Sequence, residues 1–156
     1  SRISRKTGNK MSFQSEQISI DIRGQFYIGC ADFYKAAKLF LQICEREVDD
    51  TDTDEDREVD MHNAIDLLVA AAYSFHGADD AISSSLTAKA PEAEQNNLHE
   101  LRRSFKLLSD KIILLLTREP GTVTAIRLYN CIVNLETEVV RLGRQITNLP
   151  PLPRLN

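Results

Sequence analysis

Leu98-His-Glu-Leu101-Arg-Arg-Ser-Phe105-Lys-Leu-Leu108-Ser-Asp-Lys-Ile112-Ile-Leu-Leu115 places a large apolar side chain at steps of three, four, three, four and three. Leu128, Ile132, Leu135, Val139, Leu142 and Ile146 then follow at steps of four, three, four, three and four. A helix turns once every 3.6 residues, so each series forms a stripe along one face of a helix. Arg118-Glu119-Pro120-Gly121 stands between the two series, with Thr122 as a cap for the second. The pair therefore reads as two amphipathic helices folded back on each other.

Two further helical patterns precede this pair. From about Gln25 to Glu47, Phe26, Cys30, Phe33, Ala37, Phe40 and Cys44 trace one face, with Tyr27, Tyr34 and Leu41 beside it. From about Arg57 to His76, Met61, Ile65, Leu68, Ala72 and Phe75 do the same, and Gly77 sits where a carboxyl cap is expected. Asp79 or Asp80 then caps a short helix from Ala81 to about Ala88. Pro91 opens the third long helix. The expected fold is all-α: an antiparallel up-and-down four-helix bundle, with coiled-coil spacing and one additional short helix. Residues 1–17 read as a flexible basic tail, 18–148 as the bundle domain with an acidic loop at 49–58, and 149–156 as a proline-rich tail.

The chain has 156 residues and a formal net charge of −4, an acidic balance that speaks against a duplex nucleic-acid binder. Its three cysteines, Cys30, Cys44 and Cys131, form no C-x-x-C pair and read as buried free thiols. No apolar run follows Arg2, Arg5, Lys6 and Lys10, and the densest apolar run, Ile112 to Leu116, is far shorter than a membrane span. The expectation is a cytoplasmic protein with no membrane association.

Candidate chemistry is sparse. Asp50-Thr-Asp52-Thr-Asp54 begins like an EF-hand loop, but Glu55 replaces the turn glycine and Met61 the bidentate glutamate. Glu58, His62 and Asp66 share one helix face without the paired Glu-x-x-His motifs of di-metal bundles. No metal site and no cofactor are expected. Arg57-Glu-Val-Asp-Met-His62 resembles in spacing the R-x4-6-H pair of HEPN ribonucleases, which are also helical bundles. That resemblance implies an arginine steadying phosphate charge and a histidine moving a proton, and nothing else in the chain extends it. Arg102, Arg103, Lys106, Arg127, Arg141 and Arg144 offer a basic face for an acidic partner or RNA phosphate.

Two features point beyond the bundle. The run Ile112-Ile113-Leu114-Leu115-Leu116 is apolar all round, where one buried stripe would suffice, so a second side is expected to be buried, against another helix of the bundle or a second subunit. Pro150-Pro151-Leu152-Pro153 has the form of a short proline ligand. The chain thus reads as a non-enzymatic interaction module of the adaptor, regulatory or antitoxin/immunity-like kind. Its candidate contacts are Ile112, Ile113, Leu114, Leu116, Asp52, Asp54, Asp56 and the proline segment. The expected partner is a protein, with a homodimer as one form. The alternatives are a HEPN-like RNase using Arg57 and His62, and a nucleic-acid accessory bundle using the basic face.

Overall fold

Four helices account for the architecture: α1 Arg2–Val48, α2 Asp54–Ser85, α3 Glu92–Thr117 and α4 Ala125–Thr147. The computed structural model describes the backbone of residues 2–86, 92–117 and 124–147, and side chains over 20–84, 86, 95–117 and 124–147. The Pro91, Pro120-Gly121 and Thr122 readings and the proline-rich tail fall outside the described residues.

The buried side chains follow one rule in all four helices. In α1 they are Ile22, Phe26, Phe33, Ala36, Phe40 and Ile43, with Gly29 buried in the same row. In α2 they include Ala64, Leu68, Ala71, Phe75, Ala78 and Ile82, in α3 Leu98, Leu101, Phe105, Leu108 and Ile112, and in α4 Ala125, Leu128, Ile132, Leu135, Val139, Leu142 and Ile146. The steps alternate between three and four throughout, so every helix turns a single seam inward. α1 packs on α2 and α4, and α3 packs on α2 and α4.

Individual contacts fix which levels meet. Glu47 of α1 meets Arg57 of α2. A methyl group built on Gly29 would stand 2.6 Å from a ring carbon of Phe75, and one on Gly77 would stand 3.3 Å from the Gln25 side chain. Residue numbers thus rise along α2 as they fall along α1. Between α2 and α3 the pairs are Asp79 with Arg102 and Ala72 with Ser109. Between α1 and α4 they are Tyr34 with Glu136 and Arg23 with Ile146.

Near one level three helices each contribute a phenylalanine. The ring centroids of Phe26 and Phe75 lie 6.4 Å apart, and both Phe26–Phe105 and Phe75–Phe105 lie 6.3 Å apart. These separations are typical of favourable tilted and edge-on aromatic pairs. Gly29 matters because its missing side chain lets the Phe75 ring lie against α1. α4 reaches the same cluster through Gly143, whose Cβ position is 3.6 Å from Cζ of Phe26.

Several expectations require correction. The first helix begins at Arg2 rather than near Gln25, so the stretch read as a tail is helical in its backbone. Its buried row runs through Gly29, Ala36 and Ile43, not Cys30, Ala37 and Cys44, which lie half-buried on the adjacent flank. All three cysteines are free, and all are half-buried rather than buried. Helix α2 passes through Gly77 without a break, so residues 81–85 extend it and form no separate short helix. Its cap is Thr53, whose hydroxyl accepts a hydrogen bond from the Asp56 amide at 3.2 Å. Residues 54–58 of the acidic stretch are therefore its first turns, and only 49–53 form the connection. In α4 the capping hydroxyl belongs to Thr124, which accepts from the Arg127 amide at 3.3 Å.

Candidate functional site

The densest cluster of charged side chains lies where α1 passes into α2. Helix α1 ends in a Schellman turn: the Thr51 amide donates to the Arg46 carbonyl at 2.9 Å and the Asp50 amide to the Glu47 carbonyl at 3.3 Å. Asp50 takes the left-handed conformation this turn needs, at φ 54°. That short connection folds Asp52 and Asp60 back onto Arg46, whose Nε lies 2.9 Å from Asp52 and whose Nη2 lies 2.7 Å from Asp60. The hydrogen bond to Asp52, then that to Asp60, raises the pKa of the Arg46 guanidinium. Arg57 reaches back to Glu47 at 3.1 Å. The cluster is a clasp between two helices, and its charges are answered locally.

This geometry separates the two residues of the ribonuclease-like spacing. Arg57 turns to Glu47 on α1, while His62 faces Asp66 on its own helix at 3.4 Å and is largely exposed. The structure brings them to different carboxylates. Glu58 takes no part in the His62–Asp66 pair, and among the described residues no three His, Cys, Asp or Glu side chains are grouped to hold a metal ion. A shallow cleft of about 540 Å³ between α1 and α2 is lined by Ile20, Asp21, Gly24, Gln25, Ile28, Gly77, Asp80, Ala81 and Ser84. Its ionisable groups are Asp21 and Asp80; His76 lies 3.8 Å from the Asp80 carboxylate, and the Ser84 hydroxyl donates to the Asp80 backbone carbonyl at 3.0 Å.

The remaining sequence candidates separate into engaged and outward-facing groups. Asp52 is held by Arg46, whereas Asp54 and Asp56 are exposed in the first turn of α2. In the apolar run, Ile112 is fully buried and Leu116 packs half-buried against the core, but Ile113 and Leu114 face outward, 48% and 56% exposed. The basic residues do not form one strip. Arg102 donates from Nε to the Asp79 carboxylate at 2.9 Å, and Arg141 lies 3.3 Å from Glu138, which also receives Lys111. Arg103, Lys106, Arg127 and Arg144 are exposed on two different helices.

One pair was not anticipated. Asp79 is the one buried charged residue among the described residues, and Arg102 answers it across the α2–α3 seam. A buried carboxylate without such a partner costs several kcal/mol, so this pair is structural. The signal was present in the sequence: each residue stands one step outside a core position, Asp79 after Ala78 and Arg102 after Leu101. On the other side of the bundle, burial pushes the Cys30 thiol up to about 11 from its ordinary 9.0. Burial and then the nearby Glu136 carboxylate raise the Tyr34 phenol. Neither group is activated as a nucleophile, because both shifts favour the protonated form.

No protein-family model, no curated protein and no solved structure matches this chain. No helix among the described residues is long and apolar enough to cross a membrane.

Proposed function

We propose that this chain is a non-enzymatic protein–protein interaction module built as an antiparallel up-and-down four-helix bundle with coiled-coil-like seams. The topology is supported by the falling and rising residue numbers at the α1–α2, α2–α3 and α1–α4 contacts. The functional reading rests on one observation: Ile113 and Leu114 face outward although Ile112 beside them already fills the core. Exposed large apolar side chains in excess of what folding uses mark a contact surface. Asp54 and Asp56 remain candidates for a basic partner segment. The ribonuclease reading finds no support in the Arg57 and His62 contacts, and the accessory nucleic-acid reading loses Arg102 to Asp79.

The test is affinity capture of the tagged chain from its host, followed by mass spectrometry, with the Ile113→Asp/Leu114→Asp variant alongside. The expected result is a stoichiometric protein partner or a larger homomeric mass, reduced by the variant while its thermal melt stays unchanged. Cleavage of RNA by the purified chain, abolished by Arg57→Ala and by His62→Ala, would overturn the reading.

A further inference from the structure

Helix α1 is longer than the bundle it helps to build. Ala81 and Ser84 share a cleft with Ile20 and Asp21, and α2 ends just beyond them at Ser85. The Ile146 carbonyl accepts from Arg23, and α4 ends one residue later at Thr147. Arg102 pairs with Asp79, which sets the start of α3 at Glu92 about one turn past the end of α2. Helix α1 itself runs back to Arg2. About 20 Å of it therefore extends past the level where the other three helices stop. The sequence agrees with that level. Traced back from Ile22 at steps of three and four, the seam of α1 falls on Ser19, Ser15, Ser12 and Gly8. This stretch carries no large apolar residue with which to continue the core.

The charge of the chain changes sign at the same place. Residues 1–15 hold Arg2, Arg5, Lys6 and Lys10 and no acidic residue. The remainder sets fifteen lysines and arginines against twenty-three aspartates and glutamates, so a net −8 stands behind the overall −4. Arg2, Arg5, Lys6, Asn9 and Lys10 follow the steps that keep positions on one side of a helix. Like charges at these steps oppose a lone helix, and a row of anions alongside would offset that repulsion. With a Debye length of about 8 Å, physiological salt screens such a row from the acidic body. Three ligands present anions in rows, and the residues choose between them. A lipid surface needs an apolar stripe opposite the basic one, but those positions hold Ser4, Gly8, Met11, Ser15 and Ile18. A protein interface needs an apolar centre, which the basic side lacks. A phosphate backbone needs neither and is bound by arginine and lysine with small polar residues among them. We infer that the first turns of α1 form an arm that binds nucleic acid, with Arg2, Arg5, Lys6 and Lys10 on successive phosphates. The acidic total that speaks against such a ligand is an average over two oppositely charged parts. This inference does not depend on the Ile113–Leu114 surface.

The probes are a fluorescent DNA duplex and a fluorescent single-stranded RNA of arbitrary sequence, titrated with the full chain and followed by anisotropy. Four phosphate contacts should make log K fall against log salt with a slope of about −3.6 on the duplex and about −2.8 on the single strand. Arg2→Gln/Arg5→Gln/Lys6→Gln/Lys10→Gln should weaken binding at low salt by about tenfold or more without moving the thermal melt. Lys10→Gln alone should flatten the duplex slope by about 0.9. Arg2→Lys/Arg5→Lys should retain the slope, which separates lost charge from a melted arm. Arg103→Gln/Lys106→Gln/Arg127→Gln/Arg144→Gln, on α3 and α4, should leave binding unchanged. No binding of either nucleic acid at low salt, or binding lost in that last variant and kept in the arm variant, would overturn the proposal. So would polyglutamate of the same length binding as tightly as the duplex. Phosphatidylserine vesicles that bind through the arm while both nucleic acids fail would overturn it in favour of a lipid surface.

Discussion

The outer faces of the α1–α4 pair and the α2–α3 pair flank the same core and are built differently. Along α1–α4 the positions next to the seam hold Cys30, Ala37, Cys44 and Tyr129, and the rows outside them hold Tyr27, Tyr34, Leu41, Ile126, Val133 and Val140. Along α2–α3 the seam-side positions include Asp79 against Arg102, and Ser109, whose hydroxyl donates to the Ala72 carbonyl at 3.3 Å. Outside them lie His62, Val69 and His76 on α2 and Lys106 and Ile113 on α3, a row of mixed polar and apolar side chains. The two pairs thus differ at the seam-side positions, mostly apolar on α1–α4 and polar on α2–α3, whereas both outer faces expose large apolar side chains. The difference teaches that the same core can be closed along one edge by packing and along the other by polar ties.

Removing the polar tie on one side should have the largest effect. Arg102→Ala leaves the Asp79 carboxylate buried without its cation and should lower stability by about 2–3 kcal/mol, read from chemical denaturation. A loss below about 0.5 kcal/mol would mean that the α2–α3 face is no more committed to the fold than its counterpart. Ser109→Ala should cost about 1 kcal/mol, because the hydrogen bond is buried but neutral.

Alkaline titration probes the opposite side. Cys30 binds its proton more tightly when folded than its ordinary value, and Tyr34 and Cys44 are shifted in the same direction. For Cys30, stability from this source is fully present below pH 9.0 and is lost as pH rises toward about 11. A thermal melt followed over that window should fall, and Cys30→Ala should flatten the fall. At neutral pH, alkylation of Cys30 should be slower than that of a free thiol. Tyr34→Phe removes a long, exposed hydrogen bond to Glu136 and should change stability by less than about 0.5 kcal/mol. A larger loss would mean that α1–α4 also closes by a polar tie.

The α3 and α4 stripes were legible because their core positions carry large side chains: of the residues in those two series, only Leu115 is less than buried. Helix α1 misled for a physical reason. It has two apolar rows side by side, and the inner one passes through Gly29 and Ala36, where the neighbouring elements come close and only small residues fit. A sequence weighs Cys30 and Ala37 above such positions, so the row that faces outward absorbed part of the inner one. Gly77 misled in the opposite sense, since it lies against the Gln25 side chain inside a continuing helix. The surplus of apolar residues in that run pointed to a second buried side, whereas Ile113 and Leu114 pack against no other helix of the chain and stay exposed. The Arg46 clasp did not, because it exists only once the Schellman turn has folded Asp52 and Asp60 back across α1.

Phe26, Phe75 and Phe105, with Gly143 set against the first of them, draw all four helices together at one height. Such a girdle divides the bundle into two halves that are free to fray from their own ends. Backbone amides beside these rings should be the last to exchange with deuterated solvent, and those of the α1–α2 clasp should exchange sooner. The two stretches can then loosen separately while the girdle keeps the helices in register.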